Sequence, residues 1–492
     1  MLSPYLHHRR KWASSFDAMR RESRRDYPFL VVCLALVAWA PFHFGGNTPL
    51  AWGVTAILSG AALVAYETRQ FLRGESHPVS WTELKLPIIL FVVCIVWIAI
   101  QLANWTPEIL HAPIWKKAGL ALGERLNGSI SVNGVAGLAG LVRLLTAGAV
   151  FWLVVQICRD AQTARLFLVG VATIIAGYAL LGLVWFALFP GHVLWERVTS
   201  TQGLVTSTFI NRNSYATYAA LGLVVWSGLF YNAVQQVELP SRAPLRYSLH
   251  AGVETLFSRA GIAYLLGLSL CAITLIMTGS RGGLAAAVAG MACALVLQSK
   301  RRGQSSASLI AAFGISLLGL GAALFIFGGV LGSRVAQFGF ADPGRFALYS
   351  GAVFGLQESF WTGFGYSSFA DVFPAFRGEA GGIWGVVNKA HNSYLDALLG
   401  LGAPVGVAFL TIFAVFAGRC VFGASLRRKN VEFPAIGAGA LACAGIHAAL
   451  DFSMEIQGVT LTVIAILAAG VAQSASSGRL SNRNRLNKHE DL

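Results

Sequence analysis

Apolar runs of about 17 to 25 residues recur along almost all of this chain, and each has the length a helix needs to cross roughly 30 Å of hydrocarbon. Twelve are read as membrane helices: 28–44, 49–66, 86–104, 134–157, 163–189, 213–231, 261–278, 283–298, 308–332, 393–418, 434–450 and 456–474. Composition agrees, because 55% of the 492 residues are hydrophobic and only 12% are charged. A soluble chain would carry about twice that charge. The expected class is an all-α polytopic membrane protein.

Charge sets the expected orientation. An even number of spans places both termini on one side, and the segment before the first span holds seven basic residues, from Arg9 to Arg25. The positive-inside rule assigns that side to the cytoplasm. With this choice 26 of the 37 Lys and Arg residues fall inside, and most of the net charge of +15 is explained by topology and the anionic inner leaflet. No nucleic-acid partner is needed to account for it. The expected organisation is a basic cytoplasmic segment (1–27), helices one to nine (28–332), a long periplasmic loop (333–392), helices ten to twelve (393–474) and a cytoplasmic tail (475–492).

The basic start precedes "CLALVAWAPFHFGG", which lacks a small-x-small cleavage site and reads as a retained first helix. All seven cysteines lie in or beside apolar spans without a CxxC pair, so packing explains them better than disulfides or a metal cluster. Residues 105–133 contain spaced leucines with Trp115, Lys116 and Lys117, suited to the membrane surface. The 333–392 loop is too apolar for a free linker and is expected to contain one or two short helices folded over the membrane domain. No internal repeat is visible.

Polar chemistry gathers on the expected outer face. Arg212 lies in "TFINRNSYATYAAL" between Asn211 and Asn213, and Arg281 follows Ser280 in the tight turn "TGSRGGLAAA". Arginines at helix ends often snorkel to headgroups, yet both motifs also free backbone N–H groups at helix starts, where anions bind. Arg143 lies about nine residues, or roughly 14 Å, into its helix, where an unpaired cation costs at least about 2.5 kcal/mol. Either backbone carbonyls satisfy it or it lines an anion cavity. Arg345 lies in "DPGRFAL", and Lys389, His391 and Asn392 lie in "KAHNSYLDALLGLG". His391 is the best candidate for proton transfer; its competitor is His447, which with Asp451 has i,i+4 spacing. No D-x-D pair in an outside loop offers to hold a divalent ion on a diphosphate, and no metal site or cofactor is expected.

Taken together, "TFINRNSYATYAAL", "TGSRGGLAAA", "DPGRFALYSGAVFGLQESFWTGFGYSSFADVFPAF" and "KAHNSYLDALLGLG" resemble the O-antigen ligase and O-antigen polymerase superfamily, over roughly residues 200–410. The resemblance implies a GT-C-like fold of the bacterial inner membrane with its site on the periplasmic side. It implies metal-independent transfer of a glycan from undecaprenyl diphosphate to an acceptor hydroxyl, either on lipid A core (ligase) or on a growing lipid-linked glycan (polymerase). Arg212 and Arg281 then match the diphosphate-holding arginines, with Arg143 as a further cation, and His391 matches the general base. Arg345, Asn211, Asn213, Ser280, Lys389 and Asn392 would orient the substrates.

Two other classes stay open at this point. A lipid-linked glycan transporter or flippase should carry charges near the midplane of several helices, whereas only Arg143 is placed so. A non-catalytic scaffold would tolerate replacement of His391 and both arginines.

Overall fold

The computed structural model describes residues 26–198, 202–236, 257–299, 343–377, 387–427 and 429–474, with isolated positions at 246–247, 250, 253–254 and 314. The first membrane helices are α1 (Tyr27–Trp39), α2 (Pro49–Arg73) and α3 (Lys85–Leu102). A short surface helix, α4 (Pro113–Leu122), precedes α5 (Gly134–Ile157) and α6 (Ala161–Leu188). Next come a two-residue hairpin of β1 (His192–Val193) and β2 (Glu196–Arg197), then α7 (Arg212–Gln235), α8 (Arg259–Met277) and α9 (Arg281–Ser299). Two short helices, α10 (Pro343–Glu358) and α11 (Phe369–Val372), lead to α12 (Ser393–Leu401), α13 (Ala403–Leu426), α14 (Glu432–Ala448) and α15 (Gln457–Ala472).

Eight helical segments among the described residues are long and apolar enough to cross a membrane: α2, α3 with its preceding turn, α5, α6, α7, α8, α9 and α13. The shorter α1 and α15 are also apolar. The chain is therefore a helical polytopic membrane protein. The expected span 308–332 lies outside the described residues. The expected span 393–418 is divided, because Gly402 adopts φ +77° and ψ 158°, a conformation closed to side-chain-bearing residues, and α13 starts after it.

The middle of the bundle is α7, whose residues Ser214 to Asn232 are all buried. A helix covered on every side belongs in a core, and α6, α8, α9 and α14 pack around this one. Small residues bring α9 and α14 together: a Cβ on Gly290 would come 2.8 Å from the Gly439 carbonyl, and one on Gly439 would come 2.6 Å from the Gly290 carbonyl. In lipid, where hydrophobic burial does not drive helices together, such close backbone approach is what van der Waals packing exploits. The crossing fixes the start of α9 against the end of α14.

Segments 359–377 and 387–401 fold onto that end. Gln101 of α3 donates to the carbonyls of Thr362 and Gly400, at 2.7 and 2.8 Å, and Gly365 N donates to Gly400 O at 3.0 Å. On the surface helix α4, Ile114, Leu120 and Leu122 remain exposed, as suits a helix lying along a membrane, while Trp115 Nε1 donates to Ser131 O at 3.0 Å. Six cysteines are buried and Cys293 is half-buried; all are free thiols.

Candidate functional site

Three helix starts and one helix end build the site. Asn211 caps α7, its Oδ1 accepting from the backbone N of Asn213 and Ser214 at 2.8 and 3.0 Å. Ser280 caps α9 through Gly283 N at 3.2 Å. Asn392 caps α12 through Tyr394 N and Leu395 N, at 3.0 and 3.1 Å, and its Nδ2 donates to Ala449 O at 3.2 Å. All three side chains are thus engaged in holding helix starts. Whatever they contribute to a substrate is the placement of the residues beside them.

The fourth element is the turn 449–456 between α14 and α15, and its centre is Asp451, 1% exposed. Asp451 Oδ2 accepts from Asn213 Nδ2 at 2.6 Å, from Arg345 Nη2 at 3.4 Å, and lies 3.5 Å from His391 Nδ1. Its Oδ1 accepts from Phe452 N at 2.8 Å. Burial alone pushes this carboxyl up; the contact with His391 and the charges of His447, His391 and Arg345 outweigh it and hold Asp451 below the usual carboxylate range. A buried carboxylate with this many donors is an anchor for the groups that point at it.

His391 is fixed from several sides. Its backbone has φ +52°, a left-handed conformation that non-glycine residues adopt sparingly. Tyr349 OH donates to the His391 carbonyl at 3.0 Å, and Phe452 stands edge-on to the imidazole with 4.8 Å between centroids. The His447–Asp451 pairing expected from i,i+4 spacing is not the main one. Asp451 N still donates to His447 O at 2.9 Å, but the His447 ring turns to Ser453, with Nδ1 3.0 Å from Oγ, and the Asp451 carboxylate faces His391.

Arg212 Nη1 donates to Thr278 O at 3.5 Å, which ties the start of α7 to the turn that carries Arg281. Nη1 of Arg281 is buried without a hydrogen-bond partner. A guanidinium nitrogen left over at a helix start has the chemistry to donate to an anion. Arg212 and Asn213 are adjacent, so one turn of α7 touches both the Arg281 turn and the Asp451–His391 pair.

Arg143 and Lys389 meet Glu455 of the turn 449–456, not Asp451. Arg143 donates to the Glu455 carbonyl and its guanidinium sits 4.9 Å over the Trp52 ring. Lys389 Nζ is 2.9 Å from Glu455 Oε2. Two groups were missed as site residues from sequence: Asp451, seen there only as a partner for His447, and Glu455. The signal was present, since these are the only acidic residues between Glu432 and the end of the apolar sequence, four apart in a short turn.

The described residues thus form a helical membrane protein with an arginine, histidine and carboxylate cluster at converging helix ends. A family model described as O-antigen ligase matches residues 266–410, the stretch that carries Arg281, Arg345 and His391, and this match supports the O-antigen ligase superfamily. The match supports glycan transfer of the ligase and polymerase type in general. No curated protein matches the chain.

Proposed function

We propose that this protein transfers a glycan from undecaprenyl diphosphate to an acceptor hydroxyl at the periplasmic face of the bacterial inner membrane, without a metal ion, and that it is a ligase acting on lipid A core. The observation that carries the reading is the buried Asp451 carboxylate, which gathers His391, Arg345 and Asn213 beside the helix starts of Arg212 and Arg281.

The chemistry follows from these positions. Diphosphate leaves the anomeric carbon only if its growing charge is met, and guanidinium groups meet it with short, charge-assisted hydrogen bonds. Arg212 and Arg281 take that role. His391 turns Nδ1 to Asp451, which leaves Nε2 as the base that takes the acceptor proton while the new C–O bond forms and the C–O bond to diphosphate breaks. Asp451 positions the ring and favours the imidazolium that results. The basic N-terminal segment and loops support cytoplasmic termini and hence a periplasmic site.

The test uses purified protein, undecaprenyl-diphosphate-linked glycan and excess EDTA, with and without lipid A core. Glycan on lipid A core supports the ligase reading, and lengthening of the lipid-linked chain without that acceptor would replace it with polymerase. Loss of turnover in EDTA, restored by a divalent ion, would overturn the arginine-only account.

A further inference from the structure

A cleft of about 500 Å³ runs between α3, α5, α12, α13, α14 and α15 and reaches Lys389 and Ser393, which flank His391 in sequence. Gly140 and Trp152, twelve residues apart on α5, both line it, so it follows that helix for about 18 Å. Most of its wall is apolar, with Phe91, Leu144, Phe151, Phe416 and Ile464 among the lining residues. Arg143, Lys389, Asp396, Glu455 and Gln457 supply polar groups. An apolar channel with polar lining groups has the form of a site for one lipid chain and its headgroup.

The polar groups say what kind of headgroup. Lys389 is paired with the Glu455 carboxylate at 2.9 Å, and Arg143 is occupied by the Glu455 carbonyl and the Trp52 face. With Asp396 also lining the cleft, cations and carboxyls are balanced in number. Gln457 is 3% exposed, and neither its Nε2 nor its Oε1 has a hydrogen-bond partner. An amide buried with both ends unmet needs a ligand that donates and accepts at once, and a hydroxyl does both. Ser393 Oγ, within 3.4 Å of Asp451 O and 3.5 Å of Glu455 Oε1, links this end to the His391 cluster.

We propose that Gln457, with Glu455 and Asp396, forms a hydroxyl-reading site that selects the sugar nearest the lipid of a single-chain, sugar-bearing membrane lipid seated in this cleft. The inference rests on the glycan-transfer reading for its biological meaning, but lipid binding tests it without turnover.

Native mass spectrometry of the full-length protein in lipid nanodiscs would compare bare undecaprenyl diphosphate, the same lipid carrying its glycan, and lipid A core. Gln457→Leu removes an unpaired polar group and should fold at least as well as wild type. It is expected to weaken the glycan-bearing lipid about tenfold while leaving the bare lipid unchanged. Ala147→Trp, which fills the apolar part of the cleft, is expected to weaken both. If both variants instead weaken lipid A core alone, a multiply acylated lipid occupies this cleft and the proposal is overturned. Wild-type binding of every lipid by both variants, or an equal loss of bare and glycan-bearing lipid in Gln457→Leu, overturns the proposal. Normal binding without any transfer by wild type would sink the glycan-transfer reading and leave this site standing.

Discussion

Oδ2 of Asp451 lies 3.5 Å from Nδ1 of His391, and the same oxygen accepts from Asn213 at 2.6 Å. One buried carboxylate thereby joins the 387–401 segment to the first turn of α7. Replacing it with an amide keeps the shape and removes the charge that orients and stabilises the imidazolium. Asp451→Asn is expected to lower kcat by about 10²- to 10⁴-fold, the range of a lost general base, with little change in KM for the donor. Wild-type kcat in this variant would remove Asp451 from the positioning of His391.

The same carboxylate has a stability signature. Its pKa is depressed in the folded protein, so the fold favours its ionised form. That contribution is complete above the ordinary carboxylate value of about 3.9 and drains away as pH falls through the depressed value. The Tm difference between wild type and Asp451→Asn, followed in detergent, should stay constant from about pH 8 to about pH 5 and shrink below about pH 4. A difference that vanishes already near pH 6 would contradict the depressed value.

Arg281 presents a buried Nη1 without a partner, and a guanidinium fork grips a phosphate in a way an ammonium does not. Arg281→Lys should therefore fail to preserve function despite keeping the charge. One lost charge-assisted hydrogen bond of about 1.5–3 kcal/mol corresponds to roughly ten- to hundredfold in kcat/KM. Full activity in the lysine variant would mean that Arg281 supplies only a diffuse positive field.

What the sequence revealed and what it hid divide along physical lines. Spans such as 134–157 are legible because membrane thickness fixes the length of the apolar run, and α5 occupies that range. Arg212, Arg281 and His391 are legible as polar groups at helix starts, where apolar sequence makes them conspicuous. The partnership of His391 with Asp451 is not legible, because it is a long-range contact and because local spacing points Asp451 at His447. In the fold the His447 ring turns to Ser453 and leaves the carboxylate to His391. Gln457 is hidden for a different reason: in sequence it reads as the first residue of an apolar helix, and its unmet amide emerges only from the packing around it. The break inside 393–418 has a local signal that the apolar reading passes over: Gly402 followed by Pro404 in the first turn of α13.

That break yields the last prediction. Gly402 separates α12, which follows His391, from the membrane-length α13, and it does so at φ +77°. A Cβ there would also come 2.6 Å from the Trp361 carbonyl, while Ala403 N donates to Phe360 O at 2.7 Å. Backbone strain and collision both oppose any side chain, and strain of this kind alone costs about 1–3 kcal/mol. The neighbouring contact of Gly365 N with Gly400 O would move with it, and with that the seat of α12 on the bundle. Gly402→Ala should therefore lower the Tm and also lower kcat, because α12 carries its cap Asn392 and the adjacent His391. Gly423, inside α13 and packed against Ser474 away from α12, is the control for helix packing alone: Gly423→Ala should affect Tm more than kcat. A Gly402→Ala protein with wild-type Tm and wild-type kcat would show that the break does not hold His391 in place.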